Sequence, residues 1–70
     1  MLKTLRLRKK LTQTELAKRA RTSQPYIARL ERGEKTNPSL TVLRRLAKAL
    51  GVTTGAVIDA LASRTRGGPR

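Results

Sequence analysis

The chain has no cysteine and no histidine. Those absences exclude disulfides, thiolate chemistry, imidazole acid–base catalysis and nearly every zinc site. Acid is also scarce: four Asp and Glu stand against 17 Lys and Arg in 70 residues, a formal net charge of +13. Glu15, Glu31, Glu34 and Asp59 are scattered, and no nucleophile–base couple stands out. The expectation is a protein that is not an enzyme, with no cofactor, no metal and no small-molecule substrate. Tyr26 is the single aromatic residue, so the core must be aliphatic. Apolar runs never exceed a few residues, far short of a membrane span. Lys3, Arg6 and Arg8 interrupt the N-terminal leucines, which leaves no signal-peptide core. A soluble protein of the cytoplasm, with no membrane partner, is expected.

What the chain does have is explicit helix punctuation. Thr12 and Glu15 are spaced as a capping box, each side chain able to bond the other's unpaired backbone N–H. Leu11 and Leu16 flank them as a hydrophobic staple. A helix over about 13–20 follows, with Leu16, Ala17 and Ala20 inward. After Arg21 and Thr22, Ser23 can cap a second helix, and Pro25 falls in its first turn, where a missing N–H costs little. Ile27 and Leu30 form its inward stripe, and Gly33 is placed to end it in the left-handed conformation. Residues 34–39 read as a loop. The spacing of Leu40, Leu43, Leu46, Ala47 and Leu50 predicts a longer helix closed by Gly51. A shorter helix from about Thr54 to Ala62 carries Val57, Ile58 and Leu61, and Leu2 and Leu5 suggest an opening helix reaching about Lys10. The fold class is therefore all-α: five short helices on one aliphatic core, a single domain over residues 1–62. The basic segment 63–70 has no apolar anchor and is expected to be disordered.

Two short helices joined by a tight turn, in so basic a chain, form a helix-turn-helix signature. With Ile27 and Leu30 inward, Pro25, Ala28, Arg29 and Arg32 fall on the opposite side of the second helix and Gln24 at its tip. The combined pattern TQxxLA, SxxYIxxLERG and NPSLxxLxxLAKALGV resembles the Cro/phage-repressor-type helix-turn-helix family over about residues 2 to 61. The resemblance implies a compact five-helix bundle and a sequence-specific transcriptional regulator of repressor type. It implies double-stranded DNA as partner, a second motif helix (about 24–32) lying in the major groove, and association with the nucleoid. Ser23, Gln24, Pro25 and Arg29 then match positions that reach base edges; Gln24 suits adenine and Arg29 suits guanine. Gln13, Tyr26, Arg32, Lys35, Thr36 and Asn37 match positions that touch phosphate, Gln13 also bracing the recognition helix. Arg6 and Glu31 match a structural ion pair, and Thr54 and Ala56 lie where relatives form a homodimer contact. Two departures stand out: Arg21 occupies a turn position where the family usually has Gly, and Pro25 replaces a hydrogen-bonding residue. The alternative is an antitoxin that also grips a toxin protein and represses its own operon. A general RNA-binding role is disfavoured by the want of stacking aromatics beyond Tyr26.

Overall fold

The computed structural model describes residues 1–34 and 37–66, with 63–66 described in their backbone alone. Five helices follow in order: α1 Leu2–Arg8, α2 Gln13–Ala20, α3 Gln24–Glu31, α4 Leu40–Leu50 and α5 Thr54–Arg66. Among the described residues there is no strand, and no helix is long and apolar enough to cross a membrane.

Each of the later four helices begins at a hydroxyl side chain that accepts from a backbone N–H left unpaired by the first turn. Thr12 Oγ1 accepts from Glu15 N at 3.0 Å while Glu15 Oε1 accepts from Thr12 N at 2.8 Å, so the capping box is reciprocal. Ser23 Oγ takes Tyr26 N, Ser39 Oγ takes Val42 N, and Thr53 Oγ1 takes Ala56 N.

Four of the helices end alike, with a backbone N–H reaching back to a carbonyl five residues earlier around a residue of positive φ. The closing bonds run from Leu11 N to Arg6 O, Thr22 N to Ala17 O, Glu34 N to Arg29 O and Val52 N to Ala47 O. Gly33 and Gly51 supply the positive φ in two cases; Lys10 and Arg21, each at +57°, supply it in the others. The turn at Lys10 explains why α1 stops at Arg8 rather than continuing to about Lys10: a left-handed residue cannot extend a right-handed helix. Correction is also needed at the other end. α5 runs on to Arg66, so residues 63–66 are helical where a disordered tail was expected. Residues 67–70 lie outside those described.

α2 is the hub, packing against both α3 and α4, while α5 closes over α4 and touches α1 and α3. The core holds Leu2, Leu11, Leu16, Ile27, Leu30, Leu46, Leu50 and Val57, with Ala17, Ala20 and Ala47 letting the helices approach closely. Leu40 and Ile58, each part of an apolar pattern in the sequence, are instead about half exposed, at 54% and 47%.

Candidate nucleic-acid interface

The turn between α2 and α3 is three residues long, and its angle is set by Arg21. At φ 57° and ψ 48° this residue is left-handed, a conformation that costs a non-glycine residue about 1–2 kcal/mol. Thr22 and Ser23 then carry the chain into α3, whose Ile27 and Leu30 are buried. That burial fixes the rotation of α3 and leaves Gln24, Pro25, Arg29 and Arg32 exposed on its outer side, with Ala28 half-buried between them. Ser23 is exposed but holds the helix cap. Tyr26 is half-buried and packs against the core.

A chain of polar contacts ties α3 to the two helices before it. Arg6 Nε donates to Glu31 Oε2 at 2.6 Å and Arg6 Nη2 to Glu31 Oε1 at 3.2 Å, a two-pronged pair with side chains only 9% and 5% exposed. Arg6 Nη1 also donates to the Leu11 carbonyl at 2.7 Å, pinning the turn after α1. Gln13 Nε2 donates to Glu31 Oε1 at 3.0 Å, and Gln13 Oε1 accepts from Gln24 Nε2 at 2.7 Å. Glu31 thus joins α1, α2 and α3, and the amide of Gln13 carries the connection to the tip of α3. The placement of Gln24 is over-determined by helix, cap and amide together.

One participant escaped the sequence reading. Gly33 folds the chain back after α3, and this brings Glu34 over the two arginines. Glu34 Oε1 accepts from Arg29 Nε at 3.0 Å and Oε2 from Arg32 Nε at 2.8 Å. These bonds, first to Arg32 and then to Arg29, hold the Glu34 carboxyl below the ordinary glutamate range. No periodicity announces such a contact; the glycine two residues after Glu31 is the single hint. Asn37 is exposed, while Lys35 and Thr36 lie outside the described residues. Beside α3, Lys3, Thr4, Gln13, Gln24, Ala28 and Arg32 border a groove of about 520 Å³.

A capped α2, a turn of three residues and an outward-facing α3 are what a helix-turn-helix requires, and the family model described as Helix-turn-helix matches residues 2–57. The chain belongs to the helix-turn-helix family. Its motif resemblance to the phage-repressor type agrees with the relatives found. It is 42% identical over 57 residues to the immunity repressor protein of Bacillus phage phi105, covering 81% of this chain and 39% of that one. It is 49% identical over 49 residues to an uncharacterized HTH-type transcriptional regulator of Sinorhizobium fredii, covering 70% of this chain and 62% of that one. This helix-turn-helix chain therefore spans less than two thirds of the length of either relative. No solved structure matches it.

Proposed function

We propose that the chain binds double-stranded DNA sequence-specifically and acts as a small transcriptional regulator of repressor type, working as a homodimer. The observation that carries this is the sided character of α3. One face is sealed into the core, and the other presents Gln24, Pro25, Arg29 and Arg32 on a tip braced by Gln13. A helix so presented fits a major groove about 12 Å wide. Relatives named as an immunity repressor and as a transcriptional regulator support the same reading.

In this reading Ser23, Gln24, Pro25 and Arg29 meet base edges. Gln24 offers its amide to adenine N6 and N7, and Pro25, with no N–H, offers a thymine methyl an apolar contact. Glu34 engages Arg29 through Nε, which leaves the terminal nitrogens for guanine O6 and N7. Gln13, Tyr26, Arg32, Lys35, Thr36 and Asn37 meet phosphate. The surplus of 13 positive charges steers the duplex in and makes affinity fall steeply with salt. Thr54 and Ala56 join two copies, Ile58 beside them being exposed, and the half-sites then lie about 34–36 Å apart. Neither relative's name involves a toxin, and nothing favours the antitoxin alternative.

The test is selection from a random duplex pool at about 150 mM salt, a concentration that suppresses non-specific capture, repeated with Gln24→Ala. The expected result is an enriched two-fold-symmetric motif that loses its preference at one position in each half-site in the variant. A pool that stays random with the unaltered chain refutes sequence-specific binding.

A further inference from the structure

A second basic region lies away from α3. Arg19 near the end of α2, Arg21 at its left-handed cap, and Arg45 and Lys48 in the second half of α4 line an open cavity of about 560 Å³, with Ala49 beside them. No carboxylate lines it among the described residues. Among the described residues the ion pairs engage Arg6, Arg29 and Arg32 instead. Glu15, one turn before Arg19, accepts from the Thr12 N–H and does not line the cavity, though its charge still acts on Arg19 from a distance. The carbonyl ends of α2 and α4 favour cations, but two helix termini supply only about one unit of negative charge between them. Four cations face that unit and the Glu15 charge beside Arg19, so the surplus is about two. Arg21 sharpens the point, because glycine would sit unstrained where this chain has placed a fourth positive charge.

We propose that this cavity is a second phosphate-binding surface, taking the backbone of a DNA segment other than the one on α3. Three of its four cations are arginines, whose planar forks match phosphate oxygens two at a time. A single alanine offers an acidic protein segment almost no apolar anchor, whereas a phosphodiester backbone needs none. The lining shares no residue with the groove beside α3, and Arg19 and Arg21 lie at the far end of α2 from Gln13. The chain can then hold two duplex segments at once, the first by sequence and the second by charge. The choice of ligand rests on the duplex-binding reading above.

The test is a titration of the full chain, labelled with nitrogen-15, by one selected duplex per homodimer and then by a second duplex of unrelated sequence. Amide signals of Gln24 and of 26–32 are expected to shift with the first. Those of Arg19, Arg21, Arg45 and Lys48 are expected to shift with the second alone. Removing one phosphate contact weakens charge-driven binding roughly tenfold near 0.1 M salt. The Arg45→Gln/Lys48→Gln variant should therefore weaken the second event about a hundredfold and leave the first unchanged. Arg45 is half-buried, so Lys48→Gln alone, at an exposed site, is the companion variant, with a roughly tenfold loss. The proposal is overturned if the cavity amides never move, if they move with the first duplex, or if neither variant weakens the second event. It is equally overturned if polyglutamate at matched charge shifts them as strongly as DNA, which makes the site one for acidic protein. Shifts at α3 without shifts at the cavity sink this proposal alone; no shifts with any duplex sink the reading of α3 as well.

Discussion

Replacing Arg6 by methionine tests how α3 is held. Methionine keeps the unbranched stem, so little volume is lost and the effect is mainly electrostatic. It leaves the Glu31 carboxylate, 5% exposed, with Gln13 as its remaining donor, and leaves the Leu11 carbonyl without the guanidinium that met it at 2.7 Å. Stripping one partner from a buried ion pair costs about 3–5 kcal/mol, of which an orphaned carbonyl accounts for about 1–3. A domain of this length holds only about 4–10 kcal/mol in total. Arg6→Met should therefore lose a third or more of the stability, read by urea denaturation followed through helical circular dichroism at neutral pH. The double variant Arg6→Met/Glu31→Leu removes both charges and should recover the share due to the unpaired carboxylate, roughly half of that loss, while the Leu11 carbonyl stays unmet. It should not recover specific DNA binding, since Gln13 and Gln24 lose their anchor. A loss below about 1 kcal/mol in the single variant would mean the pair behaves as a solvated surface one. A double variant no more stable than the single would refute charge burial as the cause.

Four other perturbations are informative. Arg21→Gly should gain about 0.5–1 kcal/mol, the relief of left-handed strain less the added freedom of the unfolded glycine, and raise Tm by about 2–8 °C; no gain with an unchanged fold argues against strain at that turn. The Glu15 carboxyl is held below the ordinary glutamate range by the backbone N–H of Thr12 first and its hydroxyl next. A lowered folded value means its contribution is complete at neutral pH and disappears as pH falls through that value. Glu15→Gln should thus flatten the acid limb of the stability curve below about pH 4, and an unaltered limb would assign the acid sensitivity elsewhere. Glu34→Gln should tighten binding to every duplex and narrow the gap between specific and non-specific sites; identical binding would show that Glu34 does not restrain the two arginines. Arg29→Ala should cost about 1–3 kcal/mol at one base pair and relax preference there, whereas a uniform loss on all sequences would make it a phosphate contact.

The parts of the fold legible in the sequence are those governed by neighbours within one turn. Thr12, Ser23 and Ser39 sit three residues before the N–H groups they accept from, and the apolar spacing of Leu16, Ile27, Leu46 and Leu50 records which side of each helix is covered. Gly33 and Gly51 flagged two helix ends, but the end at Lys10 carries the same backbone geometry with no glycine to mark it. Leu40 and Ile58 show the converse: an apolar residue in register does not reveal where the opposing helix stops. The site was legible in its exposed row on α3 and, through the family pattern, in Arg6 and Glu31. The bonds of Gln13 to Glu31 and to Gln24 join residues 18 and 11 positions apart. Such pairings depend on how helices dock, which local preference does not encode, so the brace by Gln13 was legible through the family pattern alone.

Under the proposed function, the amide link between Gln13 and Gln24 makes recognition and scaffolding share one side chain. Any exchange at position 24 that retunes the preferred nucleotide also slackens a strut, and any exchange at 13 disturbs what 24 can read. On that proposal, altered operator preference in this chain should require paired changes at 13 and 24, or a change at Arg29, whose tether to Glu34 leaves the strut untouched.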